Sequence, residues 1–269
     1  MPELPEMENY KQLLNEKIKN KVITNVEINR SKSINVPIDL FIERVQNQKI
    51  KQIDRKAKHL LFHLENGSIL LLHLMLGGWM YYGMDNDKPD RTIQVKLSFG
   101  EMHLYFIGLR LGYLHVHDNT SIDEELADLG PEPLDLNFSL DQFLKEIEGR
   151  RGRLKTTLVD QQFLSGIGNR YSDEISWHAG VLPTRKMNEI ENNEAIQLFH
   201  SIRNTLQYAI TNGGYMEHAL YIEDNKTGGQ LNHFNVYNRE GDPCKRCGST
   251  IVQDEIASRK TFFCANCQK

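Results

Sequence analysis

The chain is short of cysteine, and all it has lies at one end: Cys244, Cys247, Cys264 and Cys267. No disulfide can therefore staple residues 1–243. Long apolar runs are missing as well. The richest, residues 69–75, is brief and interrupted by His73, far from the roughly 20 apolar residues a membrane helix needs. The opening Met-Pro-Glu-Leu-Pro-Glu is acidic, without the basic start and apolar stretch of a secretory signal. A cytoplasmic protein of bacterial style is expected, with no membrane partner. An excess of positive charge is also lacking, since the formal net charge is −4. That balance speaks against nucleic acid only if charge is evenly spread. Here it is clustered. Residues 49–60 carry Lys49, Lys51, Arg55, Lys56 and Lys58 against Asp54, and residues 145–170 carry Lys145, Arg150, Arg151, Arg153, Lys155 and Arg170. Acidic residues gather elsewhere, as in 118–132. No internal repeat is present.

What remains is enough for a core: 269 residues, 39 % hydrophobic, the size of one large domain or two to three small ones. Residues 3–18 place Leu4, Met7, Leu14 and Ile18 on one helical face, and Pro5 is tolerated in a first turn. From about 22 to 117 short alternating runs replace that period, with Asn66-Gly67 as a hairpin turn. A β-sandwich or barrel follows from this pattern. Pro131 and Pro133 mark a linker. Residues 139–212 return to helical spacing, with Ser139 as N-cap and Gly213-Gly214 as terminator. Residues 215–232, with Gly228-Gly229 and little periodicity, read as a mobile loop.

Two local patterns carry chemistry. Cys244-x2-Cys247 and Cys264-x2-Cys267 stand sixteen residues apart, the spacing of a zinc ribbon. Four thiolates close a tetrahedron and leave no position for water, so the expected cofactor is one structural Zn2+. A small β-hairpin held this way presents Arg259 and Lys260 at its tip, suited to phosphates. The second pattern is the start of the chain. Removal of Met1 would leave Pro2 with a secondary amine, far less basic than lysine. Such an amine can attack a sugar C1′ and form an iminium. Glu3 and Glu6 lie beside it as candidate acid/base groups, and Lys58 could bring positive charge from the sheet.

Met-Pro-Glu-Leu-Pro-Glu, Arg55-x-Ala57-Lys58-His59-Leu60, residues 129–134, Leu164-Ser-Gly-Ile-Gly-Asn169, Val236-Tyr237-x-Arg239-x-Gly241-x-Pro243-Cys244 and the terminal ribbon occur in one order. In that order the chain resembles the formamidopyrimidine-DNA glycosylase / endonuclease VIII family nearly end to end. The resemblance implies an α+β fold: an N-terminal helix plus a two-layer β-sandwich, a helix-two-turn-helix domain, and a C-terminal zinc-ribbon hairpin. Boundaries would fall at 1–132, 133–232 and 233–269. It implies damaged double-stranded DNA as partner, bound by a monomer in the cleft between the halves, with the target base flipped out. On that pattern Pro2 attacks C1′, Glu3 is the acid/base, Glu6 supports the site, and Lys58 touches a phosphate and assists strand cleavage. Asn169, Arg259 and Tyr237 would grip phosphates, and Lys155 would lie near the base pocket.

One departure stands out. The family fills the vacated base stack with a methionine, an arginine and a phenylalanine from two loops. Here those positions are Leu76, Leu109 and Leu111, with Met75 one place earlier as a substitute and Arg110 as a DNA contact in the same loop. Leucine can wedge but cannot hydrogen-bond an orphaned base, so weak opposite-base discrimination is expected. Two other readings share some features: a damage-binding protein without turnover, and an N-terminal-proline enzyme acting on small keto acids.

Overall fold

The structure, a computed structural model, describes residues 1–269. No helix in it is long and apolar enough to cross a membrane. The chain forms two compact units: Met1–Ala127 with Asn212–Gly229, and Asp128–Thr211 with Gln230–Lys269.

The first unit opens with α1 (Leu4–Ile18), which buries Leu4, Met7, Tyr10, Leu14 and Ile18 along one stripe. Then come β1 (Asn25–Ile28), α2 (Ile38–Val45), β2 (Ile50–Lys56), β3 (His59–Leu64), β4 (Ile69–His73), β5 (Trp79–Gly83), β6 (Ile93–Phe99), β7 (Met102–Ile107), β8 (Tyr113–His117) and α3 (Asn119–Glu125). The strands make two four-stranded antiparallel sheets, ordered β1-β6-β7-β5 and β2-β3-β4-β8. Alternation decides the inward face. In β3, Leu60, Phe62 and Leu64 point into the core while His59, Leu61 and His63 point out. The inward residues of both sheets meet in one core with Met7, Tyr10 and Leu14 of α1.

The same period gives the second sheet an unusual outer face. His59 pairs with His73, and His73 with Tyr113. His59 and His73 stack at 4.4 Å, and His115 stacks on Tyr113 at 4.0 Å. Burial pushes the His73 imidazole down to about 3, aided by the nearby His59 and Lys58, and the His115 imidazole down to about 4, aided by His117.

Residues 212–229 belong to this unit and are tied down, which corrects the expectation of a loose loop. Leu220 is fully buried in the sandwich core. Tyr82 donates its backbone N–H to the Leu220 carbonyl at 2.6 Å. The Asp224 carboxylate accepts from the backbone of Leu220, Lys226 and Thr227, and Thr227 Oγ1 accepts from Asn9 at 2.9 Å. Lacking periodicity is not lacking partners; these are supplied by distant segments that no local window contains.

The second unit holds α4 (Leu140–Ile147), α5 (Leu154–Leu158), α6 (Asn169–Ala179), α7 (Asn192–Thr211) and a hairpin of β9 (Val252–Ile256) and β10 (Arg259–Phe263). Ser139 caps α4, accepting from the Gln142 backbone while Gln142 reaches back. α6 packs against both α7 and β10, so this one helix positions the hairpin.

Candidate active site, zinc centre and phosphate-binding surface

At the start of α1, Pro2, Glu3 and Glu6 are all buried, the two glutamates 2 % and 1 % exposed. Glu3 occupies the N-cap in extended conformation, and its backbone N–H donates to Glu6 Oε2 at 2.8 Å. Glu6 Oε1 accepts from the Tyr215 backbone at 3.1 Å, and the Tyr215 hydroxyl donates to the Met1 carbonyl. Two acidic residues at a helix N-terminus are favoured by its orphan N–H groups and dipole. Gly214 makes the approach of residue 215 possible. It has φ +67, and a Cβ there would meet Glu6.

Lys58 is 5 % exposed and sits in the turn between β2 and β3, where Ala57 has φ +52. Arg55 anchors that turn to α1, donating to Glu8 Oε2 at 2.9 Å and to the Ala57 carbonyl at 3.0 Å. Burial pushes the Glu8 carboxyl up, but hydrogen bonds and charge from Lys11 and Arg55 outweigh it and hold the group below the ordinary range. His73 lies near Lys58, and its only local mark in the sequence is one histidine at the end of an apolar strand.

The two loops that carry Leu76 and Leu111 lie backbone to backbone. Gly108 has φ +72, and a Cβ on it would strike the Gly77 carbonyl. Leu76 and Leu111 stand out as 68 % and 64 % exposed. Met75 is half-buried with φ +52. Leu109 is different, and its assignment as a void-filling residue is corrected. It is fully buried in the sandwich core, its backbone held by Gln94 and Ser33. Arg110 is exposed on that loop, and its carbonyl accepts from Arg30 at 3.2 Å. Trp79 is 9 % exposed and stacks on His218 at 4.1 Å.

In the second unit, Gly166 and Gly168 precede Asn169, the first residue of α6. Gln161 braces this turn, accepting from Gly166 N at 3.0 Å and donating to the Ile167 carbonyl at 2.8 Å. The candidate DNA contact Lys155 is corrected to an internal strut. Its side chain is 0 % exposed, and its Nζ donates to the Asn169 carbonyl, Ser172 Oγ and Asp173 Oδ1 at 2.8, 2.9 and 2.7 Å. An ammonium with three donors thus committed has none left for a ligand. Asp173 Oδ2 accepts from Phe262 N at 3.1 Å, joining α6 to β10 just past Arg259. Burial raises the Asp173 carboxyl to about 7 against the opposing charge of Lys155. Next to it, Glu174 accepts from the backbones of Asn235, Val236 and Tyr237 at 2.8–3.0 Å. Tyr237 lies under Arg170 at 5.1 Å and packs edge-on to Phe262 at 5.2 Å. Asp173 and Glu174 therefore hold the elements that carry Arg259 and Tyr237; neither acid carries a mark in the local sequence, because burial leaves none.

The thiol sulfurs of Cys244, Cys247, Cys264 and Cys267 all lie within 4.8 Å of one another, with pairs at 3.8 and 3.5 Å. Tetrahedral zinc–thiolate bonds of about 2.3 Å place sulfurs roughly 3.8 Å apart, so the donor set fits. The cluster holds one structural Zn2+. Trp177 Nε1 and the Arg246 backbone donate to Cys244 Sγ, each at 3.4 Å, orienting that ligand.

An acid-capped helix on a β-sandwich, a glycine turn opening α6, and a four-cysteine hairpin define a protein that joins a sandwich unit to a helical, zinc-finger unit. Comparison with known proteins narrows this. Residues 1–113 match the formamidopyrimidine-DNA glycosylase N-terminal domain, residues 129–219 its H2TH domain, and residues 241–269 the zinc finger found in FPG and IleRS. The chain is 35 % identical over 275 residues to the formamidopyrimidine-DNA glycosylase of Pelotomaculum thermopropionicum, covering 100 % of this chain and 99 % of that one. It is 33 % identical over 273 residues to that of Desulfitobacterium hafniense, covering both fully. A Lactococcus lactis Fpg complex with DNA containing an abasic site superposes with TM-score 0.93 at 26 % identity, covering 99 % of each chain. The chain belongs to the formamidopyrimidine-DNA glycosylase family.

Proposed function

We propose that the protein is a base-excision-repair DNA glycosylase with abasic lyase activity, in which the imino nitrogen of Pro2 is the nucleophile once Met1 is removed. The observation that carries this reading is the buried Glu3–Glu6 pair capping α1 directly after Pro2. The substrate is damaged double-stranded DNA, with the target nucleotide everted from the stack. Pro2 attacks C1′ and the base leaves with a proton. Glu3 donates to the ring oxygen as the sugar opens, giving an iminium. That cation acidifies the C2′ proton; its loss expels the 3′ phosphate, a second elimination can expel the 5′ phosphate, and water then restores the amine. Lys58 meets the phosphate beside the lesion, and Glu6 fixes the backbone of Glu3. Asn169, Arg259 and Tyr237 take flanking phosphates, whose charge makes binding salt-dependent. Leu76 and Leu111, with Met75, occupy the gap left by the everted base, and Arg110 meets the backbone alongside. The protein works on chromosomal DNA in the bacterial cytoplasm.

Borohydride trapping on DNA with an abasic site tests the assignment. A covalent adduct is expected with the mature chain and none when the N-terminal amine is acylated. An equal yield from the acylated protein would exclude Pro2.

A further inference from the structure

The second unit contains a cleft that the assignments above leave unused. It encloses about 610 Å³, the size of a small-molecule site. One wall is α7, which presents Gln197, Ser201, Asn204, Thr205 and Tyr208 along a single face. The rest comes from His178 near the end of α6 and from the stretch that carries His233, Asn235 and Lys245. His178 lies well down α6 from Asn169, roughly 13 Å along the helix axis. The cleft therefore stands apart from the glycine turn.

Its charge has one sign. Lys245 is exposed, forms no ion pair, and donates to the Phe234 carbonyl at 2.8 Å; its other two N–H donors remain available. No carboxylate lines the cleft. The imidazoles of His178, His200 and His233 do not converge closely enough to share a metal ion, so an organic anion suits the cleft better than a cation. Tyr208 is half exposed, and its hydroxyl is hydrogen-bonded to His233 Nδ1 at 3.0 Å, with the two rings edge-on. That bond fixes an aromatic face on which a base can stack. The side-chain amides of Gln197 and Asn204 have no partner within the protein, and such an amide matches the N6/N7 edge of adenine. Thr205 is 7 % exposed, and its Oγ1 is buried without a hydrogen bond. A hydroxyl left in that state carries a desolvation cost that a polar atom of a ligand offsets.

We propose that this cleft is a binding site for an adenine nucleotide of monophosphate size. The base stacks on Tyr208 and is read by the α7 amides, and the phosphate sits on Lys245. The DNA-binding surface proposed above stays free, so the site stands whether or not the glycosylase reading holds.

The test is calorimetric titration of AMP into the zinc-loaded full chain, where saturable one-to-one binding is expected. Lys245→Gln should weaken AMP about tenfold, because a charge-assisted hydrogen bond is lost, and leave adenosine unaffected. Tyr208→Ala should weaken AMP and adenosine alike, by about fivefold or more. Thr205→Val exchanges an unpartnered hydroxyl for a methyl, so it should keep the wild-type melting temperature and weaken AMP several-fold. Saturation with a duplex bearing a tetrahydrofuran abasic analogue should leave the AMP affinity unchanged. A wild-type Kd for AMP weaker than about 1 mM, equal affinity in all three variants, or displacement of AMP by the duplex would each overturn the site.

Discussion

Lys155 and Arg259 are both cations from basic stretches, yet burial separates their roles. Lys155 is 0 % exposed and gives its protons to Asn169, Ser172 and Asp173, whereas Arg259 is exposed at the hairpin. Lys155→Met would strand the Asp173 carboxylate inside the fold. Losing one partner of a buried pair costs about 3–5 kcal/mol, and urea unfolding should register a loss of that size. A loss below about 1 kcal/mol would show that Asp173 finds another partner. Replacing both residues with apolar ones should recover part of the stability, because no charge then stays buried.

At the scale of elements, the loops before β5 and β8 are the ones proposed to fill the gap left by the everted base. Leu76 and Leu111 are exposed while Leu109 is core, so the filler is apolar and offers no donor to the opposite base. Incision of one lesion placed opposite each of the four bases should vary by less than about tenfold, since the leucines lack the bidentate contact that would add about 1–3 kcal/mol, roughly 5- to 150-fold, of discrimination. A strong cytosine preference would contradict this, and Leu111→Arg should sharpen discrimination. The histidine face of the β2-β3-β4-β8 sheet makes a second prediction. His73 and His115 titrate at about 3 and 4 in the folded protein against an ordinary 6.5. The folded state favours neutral imidazoles, so their contribution is complete above pH 6.5 and is lost as pH falls from there toward 3–4. Thermal melts should show Tm falling on acidification below 6.5, and His73→Phe should flatten that fall. An unaltered pH profile in His73→Phe would refute the assignment.

For the whole molecule, the zinc centre makes the finger dependent on metal. A hairpin with so little apolar core folds on the binding energy of its ion, about 10–16 kcal/mol for structural sites. Chelation should expose residues 241–269 to protease and weaken duplex affinity at least tenfold, while the near-ultraviolet signal of the sandwich persists. Retained affinity after full zinc loss would remove the finger from the DNA-binding account. The cysteine ligands, the alternation of the strands and the opening helix were legible in residue order. Each depends on spacing within a short window: two residues between thiolates, period two in β3, period 3.6 in α1. Tertiary structure alone decided that Lys155 faces inward to Asp173, eighteen residues away, and that Glu6 is held by Tyr215 across 209 residues. It also turned an aperiodic stretch into the strap anchored by Leu220, and put Leu109 in the core. Burial and long-range hydrogen bonds depend on which segments meet after folding, and no local pattern of residues encodes that meeting.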